Sequence, residues 1–360
     1  MSESRSVVIT GASRGLGLAS ARHLYHRGWH VVAAMRSVEK GMAALREATG
    51  AAENDPRLVG VQLDLCDSES VTAAAAAIRD LIGVPYAVVH NAGISAAGAV
   101  EETPMDLWQK MFATHLFGPV ALTRELLPGM RAAGRGRIVL ISSAGGVRGM
   151  PVISAYSAAK GALERWGESL AGEIAPYGLG VTILVTGVFD TEIITDEGTL
   201  TFRDFDGPYG RHHRTIDRRG RAAMRIANPP EKFAVRLGRA LDGKAPYTRR
   251  SVGVDAAALL VSNRLLPTKA MHQVVRVAMG LPKYKAMRPA TPRLGPTARA
   301  MIFAAKVLPE SVMRRIVLML MKIRPPMTPA APAAGAPVID KSPDSITEDG
   351  HRGEESPIHD

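Results

Sequence analysis

The chain has 360 residues, 46% of them apolar and 22% charged, enough to bury a full core in one domain of about 250 residues with additional segments. Its single cysteine, Cys66, excludes an internal disulfide and a metal site built on two thiols, and fits a reducing, cytoplasmic setting. The net charge of +11 comes with no zinc-finger, helix-turn-helix or RNA-binding signature, so it reads as an arginine-rich solvated surface rather than a nucleic-acid footprint.

Met1–Ser6 is polar and leads straight into an apolar run, which leaves no room for a signal peptide. Short apolar runs then alternate with helical patterns for about 190 residues, as a parallel sheet with crossover helices requires. Strands are predicted at Ser6–Thr10, His30–Met35, Leu58–Leu63, Tyr86–His90, Arg137–Ser142 and Val181–Val185. Helices are predicted at Gly15–Arg27, after Ser37 as N-cap, at Ser68–Leu81, from about Met105 to Ala133, and at Ala155–Pro176. Six β-α steps give an α/β class: a Rossmann-like, doubly wound parallel sheet with helices on both faces, its ligand expected at the carboxyl ends of the strands.

Residues 195–225 read as a basic loop (Arg203, Arg211, His212, His213, Arg214, Arg218, Arg219, Arg221 and Arg225), followed by a helix at Glu231–Asp242 and a mixed stretch over 244–280. Thr297–Arg324 is an amphipathic stretch broken at Pro309. It carries Arg299, Lys306, Glu310, Arg314 and Arg324 near one face, a pattern that suits peripheral membrane contact or a cap over apolar surface. From Met327 onward seven acids stand against Lys341 and Arg352 in an Ala/Pro/Gly-rich tail, which is expected to be disordered. No apolar run approaches the ~20 residues needed to span a bilayer.

Chemistry concentrates at two places. Thr10-Gly11-Ala12-Ser13-Arg14-Gly15-Leu16-Gly17 stands between the first strand and its helix. Its glycines permit a tight turn and close approach of a pyrophosphate, and the helix N-terminus offers unpaired N–H groups and a positive dipole end. Tyr156-Ser157-Ala158-Ala159-Lys160 puts a phenol and an ammonium at i and i+4 on one helical face. An adjacent cation is expected to lower the phenol's pKa and suit it to proton transfer. Ser143, 13 positions before Tyr156 at the end of the fifth strand, can donate to a substrate oxygen that gains negative charge; Ser142 is its bland neighbour.

The TGxxxGxG loop, Ser143 and the YxxxK pair together resemble the short-chain dehydrogenase/reductase family over roughly residues 5–195. The later proline and apolar positions, from Asn228-Pro229-Pro230-Glu231 to Leu265-Leu266-Pro267, are more loosely similar to its 17β-hydroxysteroid and retinol dehydrogenase group. The resemblance implies an oxidoreductase on CH–OH groups, with Tyr156 as general acid/base, Lys160 also holding the nicotinamide ribose, and no metal. It implies adenine contacts at Asp64 and Leu65, and it matches His90-Asn91-Ala92-Gly93 to the family's NNAG, with Asn91, Ala92 and Gly93 lining the cofactor site. Thr186-Gly187-Val188-Phe189-Asp190-Thr191 corresponds to PGxxxT. Val188 would then make a backbone contact and Thr191 would meet the carboxamide. His115, in His115-Leu116-Phe117-Gly118, replaces the family's usual relay asparagine and is a candidate for the same role.

Cofactor choice rests on the end of the second strand, where NAD users place an acid and a 2′-phosphate needs cations. Here Met35 is followed by Arg36, and Arg14 stands in the glycine loop, so NADP(H) is expected. The expected organisation is an NADP-binding oxidoreductase domain over 1–285 with a lid at about 195–225, a helical extension over 286–326 and an acidic tail over 327–360. The resemblance implies a bulky hydrophobic alcohol or ketone (steroid-, retinoid- or lipid-like) as substrate, and a homo-oligomer. The arginine-rich lid keeps an anionic, carrier-linked acyl substrate as the alternative. A non-catalytic NADP(H) sensor or scaffold is the reading from another class.

Overall fold

The computed structural model describes residues 5–192, 198–283, 286 and 296–320. The chain divides into two compact units, 1–287 and 288–360. In the first, strands β1 (Ser6–Thr10), β2 (His30–Met35), β3 (Leu58–Gln62) and β4 (Ala87–His90) alternate with helices α1 (Gly15–His26), α2 (Val38–Thr49) and α3 (Ser68–Ile82). A three-residue strand β5 (Ser95–Ala97) follows, then α4 (Met105–Phe112), a π turn at Ala113–Phe117, and α5 (Gly118–Ala132). Next come β6 (Gly136–Ser143), the single turn α6 (Ala144–Val147), α7 (Ser154–Ile174) and β7 (Leu179–Thr186). The remainder is β8 (Thr199–Thr201), α8 (Gly210–Met224), α9 (Pro230–Leu241), β9 (Tyr247–Val252), α10 (Val254–Leu265) and α11 (Thr268–Ala278).

Seven strands pair in parallel in the order β3-β2-β1-β4-β6-β7-β9. From β1 the chain winds outward to β3 and then returns to β4 on the other side of β1. The loops after β1 and β4 therefore flank the switch point, where doubly wound sheets bind ligands. Strands buried on both faces read as continuous apolar runs because alternate residues enter two different cores. Val8, Val32 and Val61 pack with Leu122, Leu163 and Leu170 on one side. Val7, Ile9, Val31 and Ala33 pack with Leu24, Phe233 and Leu237 on the other.

Three sequence expectations change. The 105–133 stretch is two helices joined by the π turn, in which the Gly118 N–H donates to the Ala113 carbonyl. Pro119 has no N–H to return to His115, so the helical ladder is broken there and widens by one residue. The supposed loop over 195–225 contains the fifteen-residue helix α8, of which only Gly210 and His213 are buried. It is polar nearly all round, and ion pairs rather than an apolar stripe hold it. The mixed stretch over 244–280 hides a seventh strand, β9, whose core Thr248-Arg249-Arg250-Ser251 has too little apolar character to signal an edge strand. Ser37 does stand at the N-cap of α2, but its side chain makes no capping hydrogen bond.

In the second unit, α12 (Pro296–Val307) and α13 (Glu310–Leu320) meet at the Pro309 break. The acidic tail, and the end of the amphipathic stretch at Arg324, lie outside the described residues. No described helix is long and apolar enough to cross a membrane.

Candidate active site

The glycine loop closes over the switch point by direct hydrogen bonds. The Gly11 N–H donates to the Ala34 carbonyl at 2.8 Å. The buried Thr10 hydroxyl accepts from the N–H groups of Asn91 and Ala92 at 3.1 and 3.0 Å. The Asn91 side-chain amide donates to the Thr10 and Gly11 carbonyls at 2.9 and 3.1 Å. Thus Thr10 and Asn91 tie the two switch-point loops together. Gly11 sits at φ +66, and a Cβ there would stand 2.8 Å from Ala92 Cα. A Cβ on Gly17 would overlap the Gly11 carbonyl oxygen and stand 2.6 Å from Asn91 Nδ2. Both positions need glycine for close backbone approach.

This loop fits the diphosphate of a nicotinamide dinucleotide. The helix α1 begins after Arg14 with no side-chain cap and no acid in its first turn, so its N–H groups are left for an anion. Thr191 stands beside Gly15, where a glycine Cβ would come within 3.4 Å of its methyl group. Ser13 lies over Gly41 of α2, and Leu16 packs on the apolar core. Asp64 accepts the Cys66 N–H at 2.9 Å, and Leu65 is buried beneath the start of α5. Arg36 is exposed at the end of β2 with no ion pair among the described residues, whereas Arg14 pairs with Glu192 at 2.7 Å. Both backbone groups of Val188 are engaged within the protein. Its N–H donates to Asp255 at 2.7 Å, and its carbonyl accepts from Asn228 at 3.1 Å.

The catalytic candidates meet where β6 ends against α7. The Tyr156 phenol lies beside Ser143, and the Lys160 ammonium lies 5.8 Å from the phenol ring centroid. Lys160 is 5% exposed and donates to the Ile141 carbonyl at 2.7 Å. Ser142 is set apart from Ser143 by its partner, since its hydroxyl donates to Glu164 at 2.6 Å. Burial raises the Tyr156 pKa above its ordinary value of 10, the Ser143 hydrogen bond opposing it. Burial also lowers Lys160 to about 7, with Glu164 opposing. This corrects the expectation that the lysine depresses the phenol: both groups pay for desolvation in the same pocket, and each is pushed toward its neutral form.

His115 is turned inward by the π turn and is 1% exposed. Its Nε2–H donates to the Ile94 carbonyl at 2.9 Å, its ring meets that of Tyr156 edge-on at 5.4 Å, and Gly93 lies against it. Burial, then the nearby Lys160 charge, lowers its pKa well below 6.5, so it is neutral, and its Nδ1 has no hydrogen-bond partner. His90 is a core residue: Nε2 meets the Thr123 hydroxyl at 2.8 Å, and burial lowers it to about 3.

A cleft of about 720 Å³ opens beside this site, lined by Gly145, Gly146, Met150 and Val152 and by Tyr209 and His212 at the start of α8. Gly145 is packed against the Tyr156 ring. Among the described residues Val152 is the only non-glycine residue with positive φ, at 62°. Helix α8 is pinned by a buried pair, His213 with Glu102 at 2.8 Å, and by Arg203 with Asp217 at 3.3 Å. Arg221 also pairs with Asp217, and Arg219 donates to the Val277 and Ala278 carbonyls.

With the switch point, the glycine loop and the Ser143–Tyr156–Lys160 cluster in place, comparison with known proteins is decisive: residues 5–199 match the short chain dehydrogenase family. The chain belongs to that family. The uncharacterised oxidoreductase YbbO of Escherichia coli K12 is 32% identical over 273 residues, which cover 76% of this chain and 94% of that protein. Dehydrogenase/reductase SDR family member 7B of Xenopus laevis is 37% identical over 205 residues, and the match spans only 62% of its length. The crystal structure of a short-chain dehydrogenase from Streptomyces avermitilis superposes with a TM-score of 0.65 at 33% identity, covering 78% of this chain and 99% of that one.

In this short-chain dehydrogenase, sequence reasoning missed Glu164, Arg249, Asp255 and the His213–Glu102 pair. Glu164 had a signal available, because it falls one helical turn beyond Lys160 and shares its face. The others lie far from the site in sequence, and no spacing rule reaches them.

Proposed function

We propose that the protein is an NADP(H)-dependent oxidoreductase interconverting a bulky hydrophobic alcohol and its carbonyl, with Tyr156 as general acid/base. The observation that carries this reading is the Tyr156 phenol, beside Ser143 and backed by buried Lys160, packed against Gly145, which lines a largely apolar cleft. Held neutral, the phenol is ready to donate its proton to an oxygen that gains negative charge, while Ser143 donates a second hydrogen bond to the same oxygen. Lys160 stabilises the resulting phenolate, and its own pKa near 7 suits it to passing a proton at neutral pH. A bound nicotinamide supplies or accepts the hydride. Exposed Arg36 favours the extra phosphate of NADP(H), and Arg14 can join it by leaving Glu192.

The lid supports a hydrophobic rather than an anionic substrate. Of its seven arginines, Arg203, Arg214, Arg219 and Arg221 are engaged with carboxylates or backbone carbonyls of the protein. NADPH oxidation against a panel of hydrophobic ketones and aldehydes tests the reading. Tyr156→Phe is expected to lose about 10²–10⁴-fold in kcat while still binding NADPH by fluorescence titration. Turnover that survives this change would refute the assigned chemistry, and NADPH binding without turnover on any carbonyl would favour a sensor.

A further inference from the structure

The end of β6 addresses α7 three times in three residues. Ile141 gives its carbonyl to Lys160 at 2.7 Å, Ser142 gives its hydroxyl to Glu164 at 2.6 Å, and Ser143 meets Tyr156. Two of these contacts hold groups placed in the chemistry above. The middle one holds a glutamate that is 1% exposed and has no part in that chemistry. Its second oxygen accepts from Arg249 Nε and NH2 at 2.9 and 2.6 Å, across from the edge strand β9. Three donors on two oxygens are the surroundings of an ionised carboxylate.

We propose that Glu164 is a positioning residue for Lys160, a fixed buried negative charge, clamped by Ser142 and Arg249, that keeps the lysine seated and protonated beneath the phenol. The proposal rests on the reading of Lys160 given above. A purely structural role explains the arrangement poorly. A buried ion pair gives little net stability over apolar residues of similar volume, since desolvation of both charges offsets their attraction. The packing also makes room for the carboxylate. A Cβ on Gly146, in the cleft wall, would stand 2.6 Å from the Ser142 hydroxyl and 3.0 Å from Glu164 Oε1. The titratable groups around Lys160 among the described residues are Tyr156 and Glu164 on its own helix and neutral His115 from the π turn; Arg249 from β9 reaches Glu164. Among the described residues Glu164 is therefore the anion that counters the burial of the ammonium, and burial already carries that ammonium down to about 7.

The test measures the Lys160 titration directly, by NMR of lysine labelled at the side chain, with Lys160→Met to assign its resonance. It also measures the pH profile of kcat/KM for carbonyl reduction. Glu164→Gln is expected to move the Lys160 titration down by about one pH unit and the alkaline fall in kcat/KM with it. At a pH above both values that is about a tenfold loss, since one unit of pKa is a factor of ten in protonated fraction. Glu164→Asp should recover most of the shift. Glu164→Leu combined with Arg249→Met guards against a variant that merely fails to fold. It should match the parent in thermal stability yet keep the displaced titration. An unmoved Lys160 titration in both variants, whatever happens to melting temperature, overturns the proposal. Because the titration is read without turnover, it stands or falls apart from the fate of the Tyr156 assignment.

Discussion

Between β1 and β7 the protein is held by two apolar layers, one on each face of the sheet, and by hydrogen bonds such as those between buried Thr10 and half-buried Asn91. The segment that follows is held otherwise. Helix α8 buries only two of its fifteen residues, and it is fixed by His213 on Glu102, Arg203 and Arg221 on Asp217, and Arg219 on two backbone carbonyls. Apolar burial and buried hydrogen bonds are insensitive to salt, whereas partly exposed ion pairs are screened and titrate. The groups proposed to do the chemistry therefore sit on a floor that ordinary solution conditions do not move. The cleft's other wall can loosen while the fold stays intact.

The sharpest way to break this contrast is to strike the floor. Gly17→Ala forces a methyl group into the Gly11 carbonyl, so it is expected to destabilise the protein by about 1–3 kcal/mol and to abolish cofactor binding; thermal melts and NADPH titration check both. A charge change at the floor's exposed rim should act on recognition alone. Arg36→Glu is expected to shift the NADPH/NADH ratio of kcat/KM by roughly tenfold or more toward NADH, with the melting temperature unchanged. A parent enzyme that prefers NADH would remove the basis for this.

Smaller effects should come from α8 and its anchors. Burial raises the Glu102 pKa, but hydrogen bonds from His213 and from the N–H groups of Ala99 and Asp204 outweigh it and hold the carboxyl below 4.5. A carboxyl depressed in the folded state contributes stability above its ordinary value and loses that contribution as pH falls below it. Amide exchange in α8 should therefore quicken below about pH 4.5 before exchange in β1 or β6 does. Glu102→Gln should raise KM several-fold with little change in kcat, and added salt, which reaches the exposed Arg221 pair but not buried Glu102, should raise KM less. Equal loss from α8 and floor would show that the two are not separable. Lys160 gives a slope of the same sign within the floor, in a higher pH window. Its pKa is lowered from 10.5 to about 7, so the folded state binds fewer protons between those values and stability should rise with pH across them. His115→Asn should matter least, with kcat/KM changed by no more than a few-fold, because the imidazole is already neutral and satisfied on Nε2 by Ile94.

The same contrast governs what the sequence discloses. Strands β1 to β4, β6 and β7 are legible because they lie inside the main sheet, and burial leaves apolar runs at the right length. The glycine loop, Ser143 and Tyr156 with Lys160 are legible because their chemistry needs fixed spacings along one strand or one helix. Helix α8 and strand β9 are not, because ion pairs and side-chain-to-carbonyl bonds fix them, and those partners are scattered over the chain; Arg249 meets Glu164 from 85 positions away. The direction of the Tyr156 shift was also hidden. Spacing brings a cation near a phenol, but it says nothing of how dry their common pocket is.

Val152 shows where this firm half gives way. A β-branched residue at φ 62 is held against its own preference, at a cost on the order of 1–3 kcal/mol, and it is kept there by its surroundings, including its carbonyl bond from the Gly98 N–H at 2.8 Å. Strain of that size subtracts from the free energy needed to open the segment locally. The amides between α6 and α7 should thus exchange with solvent sooner than those of the strand and helix they join. Val152→Asn, whose side chain tolerates the left-handed region, should slow that exchange. The passage leading into Tyr156 thus carries a local opening rate of its own, set by one residue's backbone angle.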